Sequence, residues 1–341
     1  MTTPKTAAMT GASAPLPTDK VFEDTIRVLD KAKKEIHGVV YGQSAVVDQC
    51  LTGILAGGHV MLIGVPGLAK TLLVDTLATV LGLDAKRIQC TPDLMPSDII
   101  GTEILHRDAK DNASFRFIEG PVFTNLLMAD EINRASPRTQ SALLQAMQER
   151  SVSVAGEIRA LPTPFHVLAT RNPLEQEGTY PLPEAQLDRF LMQIHIHYPD
   201  EATETKILTH TTGNDVPHAK AVLSVEALQD AQTLVRSLPI GEKFVERVVR
   251  LVRLARPETS RLAAVQKYVT WAPGPRAGQS LITASKAHAL LHGRGTPDSS
   301  DIESLAFSVL NHRMALNYAA HAQGVHIEDL IGELIDESAK A

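Results

Sequence analysis

The chain has 341 residues and a formal net charge of −6 at pH 7, with 44% hydrophobic and 21% charged residues. The composition is that of a globular protein, and the length exceeds what one compact core usually holds, so we predict two packed domains. The negative charge argues against a globally basic nucleic-acid binder but leaves a local basic patch open. An aromatic content of 4% disfavours stacking platforms for single-stranded nucleic acid.

The cysteines and the first residues bear on the compartment. Cys50 and Cys90 suggest neither a disulfide framework nor a zinc cluster. No apolar run approaches the ~18 residues of a membrane span. Met1–Thr18 is rich in Thr, Ala and Pro and lacks the charged start and apolar stretch of a signal peptide. We therefore predict a disordered tail over residues 1–20 and a cytoplasmic protein.

Helical and strand patterns follow this tail. Apolar residues at helical spacing predict amphipathic helices over Val21–Gly38 and Ala45–Leu55, with a break at Val39–Gly42. Val60–Ile63 is uniformly apolar, as is typical of a buried parallel strand. The next helix is predicted from the spacing of Leu72, Leu73, Leu77 and Leu81.

The segment between this strand and this helix, Gly64–Thr71, has the pattern G-x-x-x-x-A-K-T, one residue away from the phosphate-binding loop G-x-x-x-x-G-K-[ST]. Such a loop turns backbone N–H groups toward a phosphate, and the helix dipole adds to the attraction. We expect Lys70 to reach the β- and γ-phosphates and the Thr71 hydroxyl to hold Mg²⁺. Ala69 replaces the motif's glycine, and its methyl group predicts a negative φ there. A plain turn is the alternative.

The middle of the chain predicts a sheet with two insertions. Strands are predicted at Arg87–Cys90, Leu126–Ala129, Phe165–Thr170 and Leu191–His197, and a helix over Pro137–Arg150. A hairpin or a short insertion is predicted within Ile99–Gly120, and a hairpin within Ser151–Ile158. Thr91–Asp98 is rich in turn residues. Strands that alternate with helices predict a three-layer α/β domain with a mainly parallel sheet.

Two polar strand ends are candidates for chemistry. Leu126–Ala129 leads into Asp130 and Glu131, the Walker B pattern, in which Asp130 coordinates Mg²⁺ and Glu131 polarises the attacking water. Asn172 follows a later strand and is a candidate sensor of that water or of the γ-phosphate. A solvated acid pair and an Asn-Pro turn are the alternatives.

Two arginines are candidates for stabilising transition-state charge. Arg189 ends the run Ala-Gln-Leu-Asp-Arg, and an ion pair with Asp188 or Glu184 is the alternative. Arg276 lies in the first turn of a predicted helix, where a cation is disfavoured, and this cost suggests a compensating anion such as the γ-phosphate. A surface arginine is the alternative there.

The last part of the chain predicts a second domain. Thr211–Ala219 is polar and is predicted to be a linker, and helical spacing with intervening prolines predicts a small α-bundle over Val222–Leu334.

Two further patterns are not assigned a binding function. His195 and His197 are taken as ordinary strand residues, because no third metal ligand is near. The arginines that recur every three residues are taken as a solvated face or a seam against an acidic neighbour: Arg247, Arg250, Arg253 and Arg256.

Together these motifs resemble the AAA+ ATPases, and most closely the MoxR family. The resemblance is carried by the segments Gly64–Thr71, Ala129–Ala135, Gln140–Glu149, Leu182–Phe190 and Gly274–Ala277, and it extends from about Phe22 to Arg313. Ala69 belongs to the family pattern. Arg171 stands where the family usually has Gln, which bears on the positioning of Asn172.

The resemblance implies an architecture and a set of site residues. It implies a P-loop AAA+ domain over residues 21–212, an all-α lid over 213–335 and a tail over 336–341. Adenine would be bordered by Val40, Tyr41 and Gly42. The phosphates would meet Gly64, Pro66, Gly67, Leu68, Ala69, Lys70, Thr71 and Leu72. Thr71 and Asp130 would hold the metal, and the catalytic set would be Lys70, Glu131, Asn172, Arg189 and Arg276.

The resemblance also implies partners. Similar proteins form rings, usually hexamers, in which Arg189 would reach a neighbour's ATP, with Arg134 and Arg138 as second candidates. Leu94–Phe117 and Ser151–Leu161 would form insertions that point toward a central pore. We expect a chaperone-like ATPase, with ATP and Mg²⁺, that remodels a protein client beside a von Willebrand factor A-domain partner. A magnesium-chelatase-like subunit, a nucleic-acid motor and a nucleotide-gated switch that hardly hydrolyses are the alternatives.

Overall fold

A computed structural model describes residues 19–107, 113–175, 177–212 and 217–340. The predicted tail before Asp19 and the centre of the predicted linker, residues 213–216, lie outside the described residues. Among the described residues, no helix combines the length and the apolar character needed to cross a membrane.

The centre of the molecule is a sheet of five parallel strands in the order β2-β5-β8-β1-β9. These strands are β1 (Val60–Ile63), β2 (Ala85–Gln89), β5 (Leu126–Asp130), β8 (His166–Arg171) and β9 (Met192–His195). β1 and β5 are buried along their whole length, because helices cover both faces of the sheet. All five strands were predicted, with small differences at their ends.

In the ranges that the structure describes, seven helices surround the sheet, and all but the last of them, which buries no residue, contribute to two separate apolar layers. They are α1 (Asp19–His37), α2 (Ser44–Leu55), α3 (Lys70–Val80), α4 (Pro96–Ile100), α5 (Pro137–Glu149), α6 (Glu184–Leu187) and α7 (Glu201–Thr211). Successive residues of β1 point to opposite faces, so Val60 and Leu62 pack with α1–α3, whereas Met61 and Ile63 pack with α5. The predicted three-layer α/β arrangement is therefore confirmed.

Two antiparallel hairpins extend from this domain: β3 (Gly101–Arg107) with β4 (Ala113–Glu119), and β6 (Ser151–Val154) with β7 (Glu157–Ala160). Arg159 of the second hairpin lies over the Phe117 ring of the first, 4.2 Å from its centroid, and 3.8 Å from Glu103. Both hairpins were predicted, and this contact holds them side by side.

The C-terminal part is mostly helical. Its elements are α8 (Val225–Ser237), α9 (Glu242–Leu254), α10 (Ala263–Tyr268), β10 (Val269–Trp271), α11 (Pro275–Leu291), α12 (Ser299–Leu310), β11 (Ala315–Leu316), α13 (Tyr318–Ala322) and α14 (Ile327–Ala339). The two short strands pair antiparallel, so the expectation of a purely helical lid misses a small ribbon. Residues 336–339 of the predicted tail are helical, because α14 packs on α9 through its apolar face.

The C-terminal helices, the predicted lid, also pack against elements of the sheet domain. α11 contacts α2, α12 contacts β9, and one continuous apolar cluster includes both Leu62 of the sheet and Leu305 of the lid. The relative position of lid and sheet is therefore set by core packing.

Candidate active site

The phosphate loop connects the carboxyl end of β1 to the start of α3. Gly67 and Ala69 both adopt left-handed backbone angles, with φ of 85° and 54°. Within the described part of the chain, the N–H groups of Gly67, Leu68 and Ala69 donate to no backbone oxygen. Unpaired N–H groups at a helix N-terminus are the donors that an anion requires, so this loop fits a phosphate.

The expectation of a negative φ at Ala69 is wrong. Ala69 is exposed, and its single methyl group tolerates the left-handed region at a cost of about 1 kcal/mol. Backbone strain of this kind concentrates at functional sites.

Lys70 projects from the first residue of α3 across the loop. Its ammonium donates to Gly64 O over 2.5 Å and to Val65 O over 3.2 Å. Burial lowers the pKa of Lys70, while the negative charges of Asp130 and Glu131 oppose that shift. The ammonium is therefore held at the mouth of the loop within the electrostatic reach of both acids.

Asp130 ends β5, and both of its carboxylate oxygens accept hydrogen bonds. The Thr170 hydroxyl, at the end of neighbouring strand β8, donates to Oδ1 over 2.5 Å. Arg87 of β2 donates to Oδ2 over 2.5 Å. Because Asp130 is almost buried, these two donors compensate a carboxylate that water hardly reaches.

Glu131 follows Asp130 in a left-handed conformation, with φ of 55°. Its N–H donates to the Thr170 hydroxyl over 2.9 Å, and its Oε2 accepts from Gln89 over 2.9 Å and from Arg134 over 3.1 Å. Arg134, a second candidate for contacts with a neighbour, is thus engaged with Glu131 of its own chain. After this strained turn, the Glu131 carboxylate lies within hydrogen-bond distance of Gln89 on β2 and of Arg134.

Asn172 lies just beyond β8 and is 3% exposed. Its Oδ1 accepts from the Leu174 N–H over 3.1 Å, so the residue forms the turn that the Asn-Pro sequence also suggested. The bond uses the acceptor end of the amide and leaves the Nδ2 group as a donor. Asn172 therefore fits both the turn and the sensor interpretations.

The segment predicted to border adenine approaches the same edge of the sheet. Gln43 donates to His197 O over 3.2 Å, just after β9, and Ile196 lies beside Gly64. The Tyr41 ring lies 5.3 Å from that of His210 in α7. The structure thus brings the predicted adenine segment and the phosphate loop together.

The chemistry of this edge fits a nucleotide with a divalent cation. The loop offers N–H donors and an ammonium for phosphates, and Thr71 and Asp130 offer the hydroxyl and carboxylate oxygens that Mg²⁺ prefers. The loop, Asp130 and Asn172 all lie at carboxyl ends of strands, where ligands bind in open parallel sheets.

Arg189 and Arg276 lie elsewhere. Both line a cavity of about 250 Å³ together with Gly58, which precedes β1, and Leu191, which precedes β9. At about 3.3 Å per residue, the stretch from Gly58 to Gly64 spans about 20 Å. The two arginines are therefore at the amino ends of the strands, opposite the phosphate loop.

This placement corrects the expectation that Arg276 faces the γ-phosphate of its own chain. The anion near its helix N-terminus is the Asp188 carboxylate, 3.4 Å from Nη1. Asp188 pairs with Arg276 and with Arg313, and the side chain of Arg189 forms no hydrogen bond or ion pair with the described residues. The alternative of an Arg189–Asp188 pair is thus not observed.

Sequence reasoning missed four residues that shape these two sites. Arg87, Gln89 and Thr170 hold the acids, and Arg313 holds Asp188. Arg87 and Gln89 are two apart on a strand next to β5, so their common face was a usable signal. Nothing in the sequence marks Arg313 as buried.

The structure gives different outcomes for the two patterns to which no binding function was assigned, the histidine pair and the arginine series. His195 is the last residue of β9 and bonds Gln193 and Asn311, whereas His197 lies two residues beyond the strand, so the interpretation as a strand residue is confirmed for His195 and wrong for His197. The solvated arginine face is wrong for Arg247, which is buried against Ser338 and Glu303. The α9–α14 contact covers it.

Comparison with known proteins assigns the two parts of the chain. Residues 59–192 match the family model described as "ATPase family associated with various cellular activities (AAA)", and residues 261–334 match "AAA lid domain". The chain is 42% identical over 315 residues to "Chaperone MoxR1" of Mycobacterium tuberculosis, and the aligned region covers 92% of this chain and 82% of that protein. It is 32% identical to "Protein MoxR" of Methylorubrum extorquens over 318 residues, 88% of this chain and 91% of that protein.

A solved structure agrees. The crystal structure of a candidate ATPase from Cytophaga hutchinsonii superposes with a TM-score of 0.87 at 39% identity, and the match covers 93% of this chain and 96% of that one. The parallel sheet, the following helical lid and these relatives together show that the chain belongs to the MoxR family of AAA+ ATPases.

Proposed function

We propose that this protein hydrolyses ATP to ADP and phosphate, and that each active site is completed by a neighbouring subunit. The observation that carries the proposal is the separation of two half-sites on one chain. The loop and the acids lie at the carboxyl ends of the strands, while Arg189 and Arg276 lie about 20 Å away at the amino ends.

The chain's own residues would divide the work at the carboxyl end. The loop N–H groups and Lys70 bind and orient the phosphates. Glu131 accepts a proton from the attacking water, which Asn172 positions through its free amide group. Thr71 and Asp130 would hold Mg²⁺, whose charge draws electrons from the terminal phosphate.

The arginines at the amino end supply the missing positive charge. A guanidinium offers a fixed fork of donors to a phosphate and cannot lose its proton, which suits a group that stabilises transition-state charge. Since Arg189 and Arg276 cannot reach their own loop, they would meet the nucleotide of the next subunit. Repeating this head-to-tail contact closes a ring, for which we propose six subunits.

Exposed apolar side chains support a protein client. Phe115 and Ile158, one on each hairpin, are 74% and 79% exposed. Exposed apolar side chains on projecting hairpins are suited to bind apolar segments of another polypeptide chain. We therefore propose that ATP turnover remodels a protein client, as the chaperone name of the mycobacterial relative suggests, with a von Willebrand factor A-domain protein as partner.

Mixing two inactive variants tests the shared site. Lys70→Ala removes the phosphate-binding charge, and Arg189→Ala removes the charge offered to a neighbour. Each variant alone should hydrolyse ATP at a small fraction of the wild-type rate. An equimolar mixture should regain activity, because an intact loop then meets an intact arginine.

Before the mixing assay, ATP binding by each protein is measured by calorimetry. Wild-type protein should bind ATP in the presence of magnesium, and Arg189→Ala should bind it with unchanged affinity. No regained activity in the mixture, with both variants folded and assembled, would refute the shared site. Absence of nucleotide binding by the wild type would refute the proposed function as a whole.

A further inference from the structure

Two polar residues of β2 reach the two acids at the end of β5. Arg87 and Gln89 lie on the same face of the strand; Arg87 bonds Asp130, and Gln89 bonds Glu131. The Arg87–Asp130 pair joins residues 43 positions apart, with 2.5 Å between Nη2 and Oδ2. Arg87 has no part in the mechanism described above.

The geometry of Asp130 makes this ion pair consequential. Its Oδ1 is held by the Thr170 hydroxyl, which also accepts the N–H of Glu131 and is itself completely buried. Rotating the carboxylate would break that bond. Oδ2 is therefore the oxygen left to face a metal or its bound water, and it is the oxygen that Arg87 covers.

We propose that Arg87 is a positioning residue that acts as the counter-ion of Asp130 in the metal-free site and is displaced from Oδ2 when a divalent cation binds with nucleotide. The proposal rests on the proposed function, in which Asp130 faces the metal. Its consequence is that Arg87 sets the metal affinity of the site, lowering it relative to an uncovered Asp130.

Charge and burial explain why Arg87 pairs with Asp130 in the absence of a cation and why it leaves when a cation binds. The Asp130 side chain is 12% exposed, and such a carboxylate without a partner carries a large desolvation cost, which the guanidinium offsets. A guanidinium does not deprotonate, so a cation that approaches Oδ2 meets a fixed like charge. The way to relieve that repulsion is to move Arg87.

Arg87 has room to move. Its side chain is 49% exposed, so the guanidinium can leave Oδ2 for water, and it already donates to Gln89 Oε1 over 3.2 Å. A merely structural role, in which Arg87 fixes the orientation of Asp130, makes the opposite prediction, because loss of orientation would weaken metal binding.

The test measures metal affinity and needs no turnover. ADP binding to the full chain is followed by calorimetry at increasing Mn²⁺, a divalent cation that stands in for Mg²⁺, and the Mn²⁺ concentration for half-maximal enhancement is determined. Arg87→Gln should lower that concentration about tenfold, which corresponds to about 1.4 kcal/mol. ADP affinity in EDTA should not change, and 1 M NaCl should shrink the difference by screening.

Three variants make the result specific. Arg87→Lys keeps the charge and should retain a wild-type Mn²⁺ requirement, whereas Arg87→Met, a second neutral variant, should reproduce Arg87→Gln. Lys86→Gln removes the same charge on the opposite face of β2, where Lys86 bonds Phe123 O, and should leave the Mn²⁺ requirement unchanged.

The outcomes separate the two proposals. An equal or higher Mn²⁺ requirement in folded Arg87→Gln or Arg87→Met, with ADP still bound, would overturn the role of Arg87 and leave the proposed function intact. A wild-type protein that binds no ADP at any Mn²⁺ concentration would instead overturn the proposed function.

Discussion

Arg313 donates its Nε–H to Asp188 Oδ1 over 2.7 Å, which ties a lid arginine to the residue beside Arg189. Arg313 is 1% exposed, and its other N–H groups bond the carbonyl oxygens of Phe190, Leu191 and Val309. Burial lowers the pKa of Arg313, and the hydrogen bond that Arg313 donates to Asp188 opposes that shift. The lid thus holds in place the turn that carries Arg189.

The two arginines that share Asp188 should differ sharply in their effect on stability. Arg313→Met leaves several buried carbonyl groups and a carboxylate without their donor, so we expect a loss of about 3 kcal/mol in the free energy of unfolding. Arg276→Met removes a half-exposed partner at 3.4 Å and should cost less than about 1 kcal/mol. Urea denaturation measures both, and equal losses would contradict this division of roles.

Glu131→Gln should separate nucleotide binding from turnover. The amide keeps the shape of the side chain and its contact with Gln89 but cannot accept a proton at neutral pH, so ATP affinity should stay near that of the wild type. The hydrolysis rate should fall by about 10²–10⁴. Calorimetry and phosphate release measure the two quantities. Wild-type turnover in this variant would remove Glu131 from the proposed role.

The left-handed conformation of Ala69 predicts opposite effects for two substitutions. Ala69→Gly relieves the strain of φ 54°, and we expect the unfolding free energy to rise by about 0.5 kcal/mol after the entropy of glycine is subtracted. Ala69→Val should lower it, because a β-branched residue strongly disfavours this region. Ala155→Gly, in the turn of the second hairpin with φ 52°, is the matched control for relief of strain away from the nucleotide. A stabilising Ala69→Val would contradict the observed backbone.

Two buried histidines predict loss of stability in mild acid. The Val167 N–H donates to His59 Nδ1, and His166 Nδ1 donates to Gly58 O while its Nε2 accepts from Gln232, so both rings are neutral. Burial lowers the pKa of His59 to about 3 and of His166 to about 4.

Since the unfolded chain takes up these protons near pH 6.5 and the folded chain does not, stability is complete above pH 6.5 and falls as the pH drops toward 4 and 3. At pH 5 the loss should be about 2 kcal/mol per ring. Urea midpoints between pH 7 and pH 4.5 measure this slope. The double variant His59→Gln/His166→Gln should flatten it, and an unchanged slope would assign the loss to other groups.

Much of the fold was accessible from the sequence because its signals are local. Short, uniformly apolar runs such as Val60–Ile63 are typical of buried strands in a helix-covered sheet, and the turn residues Ala155 and Gly156 mark the second hairpin. The P-loop and the paired acids were equally visible, since their chemistry follows from residue type and order.

What the sequence could not supply was the relative placement of distant parts. The position of Arg276 depends on how α11 packs on α2, which no local spacing encodes. Burial of Arg247 and Arg313 depends on contacts with α14 and the turn before β9. The left-handed φ of Ala69 is imposed by the loop as a whole against the preference of alanine.

Because the phosphate loop and the two arginines lie at opposite ends of the sheet, the rate of ATP hydrolysis per subunit would depend on the concentration of the protein. An isolated subunit would bind ATP without hydrolysing it. Dilution would therefore lower the specific activity, which would rise with protein concentration until assembly is complete. A subunit that lacks Arg189 would also inactivate the site of its neighbour while its own site stays active, so each such copy would remove one active site from the ring.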